Sequence, residues 1–438
     1  MCLLGLTCHQ VDVDQAFPYA DLDEEIFIKA PDGMYMTPGL VLRLKKALYG
    51  LKQAPRAWYR LVVDTFLKFG FKRCHTDHCL FVLRYDNEFC IVAVYVDDML
   101  IAGSGINIIN HVKSFIESHF SIKDLGPVQT ILGINVANNL VDGTLTLSQP
   151  NMISKIVAEF EMYNNELVNS FRGKDLGCKA IEPLPMAEGL SLSNEPRLPE
   201  DNSESAKYID VADLPYMRLI GSLLYLMTCT RPDIAYAVTT LSRFMSKPKY
   251  SHWIAALHVV RYLKGTIRYG ITYNRLEDQK YRLTAFSDSD WASNDLEHRR
   301  SMTGYVLFHC GAPIAWRACL QTTVAKSSCE AEYYALSSTC DEVVFIRNLL
   351  SELGFPFEGP TPVFCDNKGA VDLAENPLYH KRTKHIDIKY HSIRELVESG
   401  IVVICKIASK KNIADIFTKP VTKTIFDALA RFVISIVS

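Results

Sequence analysis

Long apolar runs are missing from this 438-residue chain. No stretch approaches the roughly 18 residues that a membrane-spanning helix requires, so no membrane is expected among its partners. An excess of charge of either sign is missing too. With 47 Lys and Arg against 49 Asp and Glu, the formal net charge is -2, and no global positive field announces a polyanionic partner. A local basic groove offset by an acidic site stays open. A cysteine framework is also lacking. Thirteen cysteines, an odd number without repeating spacing, speak for reduced thiols in an intracellular compartment. The opening Met1-Cys2-Leu3-Leu4-Gly5-Leu6 is apolar but has no basic n-region and no clear cleavage site. It reads as an element parted from an upstream partner rather than as a signal peptide. What is present, 48% hydrophobic and 22% charged residues, is a globular composition with room for two or three domains.

One stretch organises the rest. Phe89-Cys90-Ile91-Val92-Ala93-Val94 is apolar and β-branched, Tyr95-Val96-Asp97-Asp98 is polar, and Met99-Leu100-Ile101-Ala102 is apolar again. The pattern predicts strand, tight turn, strand. Neighbouring side chains on a strand point to opposite faces, so adjacent carboxylates belong at a hairpin tip. Two ionised aspartates beside so much apolar surface cost several kcal/mol unless something compensates them. A divalent metal with oxygen preference is the simplest compensator; an ordinary Asp-Asp turn is the local alternative.

Along the chain, residues 1–162 read as an α+β unit. Asp12 and Asp14 fall on one face of a first strand if that strand is regular, short strands follow at Ile26–Lys29 and Val41–Lys46, and a helix at Ala57–Phe69 carries Trp58, Leu61, Val62, Phe66 and Phe69. Cys74-His75-Thr76-Asp77-His78-Cys79 offers several zinc-ligand types. Six consecutive residues cannot easily wrap one tetrahedral ion, and a polar turn is expected there. A further helix is expected from Ile108 to His119. Residues 163–213 shift toward Asn, Ser, Pro, Glu and Gly and read as a linker or extended arm. Residues 214–281 are helical in pattern, with basic residues suited equally to a solvated face or to a template. Residues 282–420 alternate strands and helices, and 421–438 form a tail.

The 282–420 stretch carries a second set of acids. Asp288 and Asp366 end apolar strands, Glu332 lies on a helix that Ser327 and Glu330 can open as a capping box, and Asp415 follows the basic Ser409-Lys410-Lys411-Asn412. Strand ends of a mixed sheet plus a helix face can bring four acids to one point. Such a cluster could hold two Mg²⁺ ions roughly 3.5–4 Å apart; taken singly, each acid is ordinary surface charge.

The motifs around these acids occur in a fixed order. They are Gln10-Val11-Asp12-Val13 with Ala16-Phe17, Ala47-Leu48-Tyr49-Gly50-Leu51-Lys52-Gln53-Ala54-Pro55-Arg56-Ala57-Trp58, and Tyr95-Val96-Asp97-Asp98-Met99. Then come Gly221-Ser222-Leu223-Leu224-Tyr225, Thr230-Arg231-Pro232-Asp233 and Arg261-Tyr262-Leu263-Lys264-Gly265-Thr266. Ser287-Asp288-Ser289-Asp290-Trp291-Ala292, Arg299-Arg300-Ser301, Thr303-Gly304-Tyr305, Glu330-Ala331-Glu332-Tyr333, Cys365-Asp366-Asn367, Ala414-Asp415 and Thr418-Lys419 complete the set. With these the chain closely resembles the reverse transcriptase and ribonuclease H portion of the polyprotein of copia-like LTR retrotransposons.

The resemblance implies an α+β right-hand polymerase palm with truncated fingers, followed by an α/β ribonuclease H-like domain. It implies an RNA-directed DNA polymerase in which Asp12, Asp97 and Asp98 hold two Mg²⁺ ions (Mn²⁺ in their place). Phe17 would lie under the nucleotide sugar, Tyr49, Gln53 and Tyr95 would border the substrate, and Arg56 would approach phosphates or template. Asp288, Glu332, Asp366 and Asp415 would hold the metals that hydrolyse RNA in a hybrid. His385, in a basic stretch, would touch substrate or stand in a solvated loop. Implied partners are an RNA template, a DNA primer, dNTPs, an RNA–DNA hybrid and other polyprotein segments (capsid, protease, integrase), in a cytoplasmic particle or the nucleus. Asp14 stands where the family usually has a basic or neutral residue; beside Asp12 it would raise the carboxylate pKa values or weaken nucleotide binding. The rival expectation is a non-catalytic remnant that keeps the fold and binds nucleic acid.

Overall fold

The first unit is built on strand alternation where β1 meets β7. In β1 (Thr7–Val13) and β7 (Asp98–Gly103), Val11, Val13, Met99 and Ile101 are fully buried, and the residues between them face the other way. Helices α1 (Ala54–Phe69) and α2 (Ile106–Glu117) cover the apolar face with Trp58, Val62 and Phe66 from one and Ile108, Val112 and Ile116 from the other. The computed structural model describes residues 5–85, 88–170, 181–187, 192, 214–275, 283–292, 299–375 and 387–437. Within it the chain divides into two compact units, residues 3–129 with 347–356, and residues 130–346 with 357–438.

The sheet of the first unit adds β4 (Lys72–Arg73), β5 (Leu80–Tyr85), β6 (Glu88–Tyr95) and β8 (Ile122–Pro127) in the order β4-β5-β6-β7-β1-β8, every pair antiparallel. Helix α1 begins with Pro55 in its first turn and ends at Gly70, whose φ of 107° is the left-handed cap that a side chain resists. The strands expected at 26–29 and 41–46 shrink to the ribbon β2 (Phe27–Ile28) and β3 (Leu42–Arg43). Phe27 and Val41 are more than half exposed there, so little apolar packing supports a longer pairing. The Cys74–Cys79 segment is the connection from β4 to β5. Its backbone is held by Glu352, which accepts from His75 N and Thr76 N.

The second unit holds two sheets and a helical block. One sheet runs β18 (Ser435–Ile436), β12 (Tyr269–Asn274), β11 (Thr144–Ser148), β10 (Ile134–Asn139), β9 (Thr130–Ile131), all antiparallel. The other is mixed, in the order β15 (Ala312–Leu320), β14 (Met302–His309), β13 (Thr284–Asp290), β16 (Thr361–Cys365), β17 (Val402–Lys406). Here β13, β16 and β17 are parallel, and β14 and β15 are antiparallel. Helices α3 (Pro150–Ser170), α4 (Tyr216–Cys229), α5 (Ala235–Ser242) and α6 (Tyr250–Gly265) share a core with β14 and β15. Helix α7 (Ser328–Glu352) starts as its sequence predicts. Ser327 Oγ accepts from Glu330 N, and Glu330 reaches back to Lys326 N.

Three sequence expectations are corrected here. Helix α3 continues to Ser170 rather than ending near Tyr163, because neither proline nor glycine interrupts the sequence until Gly173. Residues 181–187 of the expected arm are docked, with Met186 buried and His258 Nε2 2.9 Å from Leu184 O. Arg231 is neither on a solvated face nor open to a template. It is fully buried, paired bidentately with Asp233 at 2.7 and 3.0 Å, and Nη2 also donates to Thr266 Oγ1 at 2.6 Å. Tyr262 donates to the same carboxylate at 2.7 Å, so the Thr230–Asp233 and Arg261–Thr266 motifs close into one buried polar network.

Candidate active sites

The acids of the first unit owe their place to strand parity. Asp12 and Asp98 are register partners across β1 and β7, each one residue from a fully buried neighbour, so both emerge on the face opposite the helices. Asp97 sits in the two-residue turn before Asp98, and its carbonyl accepts from Val13 N at 2.9 Å. Val96 in that turn has φ of 55°, a left-handed conformation that a β-branched residue adopts only under constraint. The constraint is visible: Trp58 Nε1 donates to Val96 O at 2.6 Å. Gln10 Nε2 donates to Asp98 Oδ1 at 3.0 Å and fixes that carboxylate.

The pKa of Asp12 is raised, first by burial and then by the charges of Asp97, Asp98 and Asp14, with Lys123 opposing. The expectation that Asp14 shares the face of Asp12 does not hold. Strand β1 ends at Val13, Gln15 turns left-handed at φ 50°, and Asp14 accepts from Ser121 Oγ at 2.8 Å. Its charge still reaches Asp12. The three aspartates are hard oxygen donors suited to Mg²⁺ or Mn²⁺. Among the described residues, they do not form a set with ligand atoms mutually within 4.8 Å, unlike the second cluster.

Around these acids, Phe17 opens a short 3₁₀ turn, 7% exposed, with its ring centroid 4.4 Å from that of Tyr49. Burial and then the charge of Asp97 raise the Tyr49 pKa. Gln53 is the residue before α1 and donates to Glu24 Oε2 at 2.8 Å. Arg56 is exposed in the first turn of α1, and Tyr95 is exposed at the end of β6. His385 lies outside the described residues.

In the second unit the four acids converge. Asp288 is on β13, Glu332 in the second turn of α7, Asp366 directly after β16, and Asp415 in a 3₁₀ helix (Ile413–Phe417). Ligand atoms of Asp288, Asp366 and Asp415 lie mutually within 4.8 Å, as do those of Glu332, Cys365 and Asp366. Asp366 is common to both sets. Asp288 and Glu332 are buried, Asp366 half-buried.

The framework around Asp288 is specific. Asn412 caps the 3₁₀ helix by accepting from Ala414 N, and its Nδ2 donates to Ser287 O at 2.9 Å, tying that helix to β13. Thr418 Oγ1 donates to Asp288 Oδ2 at 2.5 Å, and Lys419 Nζ lies 3.0 Å from Asp415 Oδ1. Gly304 on β14 is the register partner of Asp288, and its missing side chain leaves room for the 3₁₀ helix to cross. Burial pushes Asp288 up to about 7, with Lys419 opposing and Asp415 adding. Burial, then Asp288 and Asp366, push Glu332 up to about 10. Sequence reading placed Gln10, Thr418 and Lys419 in motifs and Asn412 in a basic loop but gave none of them a role. Each lies within a few residues of an acid, which was the available signal.

Residues 4–170 match the family model described as reverse transcriptase (RNA-dependent DNA polymerase). The retrovirus-related Pol polyprotein from transposon TNT 1-94 of Nicotiana tabacum is 37% identical over 98% of this chain, and that from transposon RE2 of Arabidopsis thaliana 35% identical over 96%. The chain spans only 31% and 27% of those two relatives. The putative transposon Ty5-1 protein of Saccharomyces cerevisiae is 34% identical over 76% of this chain and is covered over 100% of its own length. The fold class is that of a reverse transcriptase palm followed by a ribonuclease H-like domain. The chain belongs to the reverse transcriptase and ribonuclease H region of copia-like retrotransposon polyproteins. No helix among the described residues is long and apolar enough to cross a membrane.

Proposed function

We propose that this chain is an RNA-directed DNA polymerase with ribonuclease H activity. The observation that carries the reading is the convergence of Asp288, Glu332, Asp366 and Asp415, from four separate elements, into two ligand sets that share Asp366. The all-oxygen part of that donor set suits Mg²⁺ or Mn²⁺. Two such ions held by these four acids, and two held by Asp12, Asp97 and Asp98, would supply charge neutralisation and Lewis acidity for phosphate chemistry.

The chain's own residues do the positioning. Phe17, backed by Tyr49, offers a fixed ring edge against which a nucleotide sugar carrying a 2′-hydroxyl would collide. Gln10 aims Asp98, and Trp58 and Val13 clamp the turn, so the carboxylates need no reorganisation when substrate arrives. Arg56 and Tyr95 are exposed and free to meet template or nucleotide, while Gln53 would first have to leave Glu24. In the second site, Thr418 and Asn412 orient Asp288, and the raised pKa values of Asp288 and Glu332 mean that loading metal releases protons. The substrates on this reading are RNA template, DNA primer, dNTPs and an RNA–DNA hybrid recognised by groove shape and 2′-hydroxyls. The remaining polyprotein segments and an intracellular particle complete the proposal.

The test is a Mg²⁺-dependent assay on a labelled RNA–DNA hybrid with a recessed primer. Extension should vanish in Asp98→Asn with cleavage near its starting rate, and the reverse should hold for Asp366→Asn. Hybrid binding without either turnover would replace this reading with the non-catalytic remnant.

A further inference from the structure

The nuclease cluster brings a cation of its own. Lys419 lies four residues beyond Asp415, and its ammonium is 3.0 Å from Asp415 Oδ1 and 3.9 Å from Asp288 Oδ2. An exposed pair at this spacing contributes only about 0.3–0.5 kcal/mol. This pair is different in kind, because the Lys419 side chain is 38% exposed while those of Asp288 and Asp415 are 3% and 11% exposed. The lysine therefore reaches buried acids from the accessible side. Its backbone is anchored as well: Thr418 N and Lys419 N both approach Asp415 O, and the Thr418 hydroxyl is spent on Asp288. Two carboxylates whose oxygens lie within 4.8 Å of each other and of Asp366 repel strongly at low dielectric. A neighbouring positive charge is the direct remedy.

We propose that Lys419 is the internal counter-ion of the nuclease centre. Its ammonium keeps Asp288 and Asp415 together before any divalent ion is bound, and it competes with such ions for the same two carboxylates. This rests on the nuclease reading above and adds a positioning residue to it. The four-carbon stem and the partial exposure let the ammonium withdraw toward solvent as a doubly charged ion enters, so one cation replaces another and the acids keep their places. The arrangement sets a threshold for metal occupancy, because each incoming ion must overcome a like charge. A lysine that only clamped the chain after the 3₁₀ helix predicts the opposite sign, since its loss would loosen Asp415 and weaken metal binding.

The opposite signs define the experiment. Mn²⁺ is titrated calorimetrically into the full chain carrying Asp97→Asn and Asp98→Asn, so that the first unit's acids do not contribute. In that background Lys419→Met should bind Mn²⁺ more tightly, on the order of tenfold for the removal of one screened like charge at this range. Its thermal midpoint without metal should fall. Lys419→Arg, which keeps the charge, should return both readings toward their starting values. Equal or weaker Mn²⁺ binding by Lys419→Met overturns the counter-ion. If the Met variant fails to fold without metal, Lys419→Gln is titrated instead, with the same two outcomes. Asp366→Asn should abolish the Mn²⁺ isotherm; an isotherm indifferent to Asp366 overturns the nuclease reading itself, whereas one that responds to Asp366 but not to Lys419 overturns only the counter-ion.

Discussion

Gly304 stands opposite Asp288 in the β13–β14 register, and the 3₁₀ helix bearing Asp415 crosses directly over it. A Cβ added there would sit 2.7 Å from Thr418 Cγ2, 2.8 Å from Phe417 Cβ and 3.1 Å from Ala414 O. Ala414, Phe417 and Thr418 are all fully buried, so the crossing segment cannot rotate a side chain away and must itself move. Overpacking of this kind costs about 1–3 kcal/mol. Alanine returns about 0.4–1 kcal/mol by restricting the unfolded chain, leaving a net loss of at most about 2.6 kcal/mol. The greater effect is on chemistry, because the moving segment carries Asp415, Thr418 and Lys419 at once. A displacement approaching 1 Å at a reacting group can cost about a hundredfold in rate. On the proposed reading, Gly304→Ala should therefore lose roughly tenfold or more in hybrid cleavage while primer extension, assigned there to the first unit's acids, stays near its starting rate. Both activities and the urea midpoint are measured on one preparation. Cleavage and midpoint both unchanged would refute the steric argument.

Three further outcomes are expected. Phe17→Ala should raise ribonucleotide relative to deoxyribonucleotide incorporation; an unaltered ratio would return Phe17 to a packing role against Tyr49. Without metal, Asp288 (3.8 raised to about 7) and Glu332 (4.5 raised to about 10) bind protons in the folded state that the unfolded chain has released. Stability from this source is full below about pH 4 and is lost as pH rises through about 7 and on toward 10. Glu332→Gln should accordingly raise the metal-free thermal midpoint at pH 8 and flatten its pH dependence, and an equally steep profile would contradict it. Arg231→Met strands the buried Asp233 carboxylate and should destabilise by about 3–5 kcal/mol, read by denaturation and by faster amide exchange in α4–α6; a loss below about 1 kcal/mol would show the network to be dispensable.

The sequence made the acids legible wherever strand period decides their place. Asp12 and Asp98 follow from alternation with Val11, Val13, Met99 and Ile101, and Asp366 from the end of an apolar run. What it concealed depends on contacts distant in sequence. Nothing local distinguishes Arg231 from a surface arginine, since its burial needs Tyr262 on α6 and Thr266 just past the end of that helix as well as Asp233. The extent of α3 was obscured by polar composition, although the absence of a breaker before Gly173 carried the answer. Asp14 misled because regular alternation was extended one residue past the turn that Gln15 makes. Lys419 looked like a motif's trailing residue until the fold brought Asp288 beside it.

The bond from Trp58 to Val96 O gives the Asp97–Asp98 hairpin an optical label of its own. Of the chain's four tryptophans, at 58, 253, 291 and 316, only Trp58 lies in the first unit, and its indole is buried with its N–H on the turn that presents Asp97 and Asp98. Emission of a buried indole responds to the loss of such a partner and to the entry of water. Replacing the other three with phenylalanine would leave a chain whose tryptophan emission follows one turn, so opening of that turn can be read in a stopped-flow trace without any attached dye.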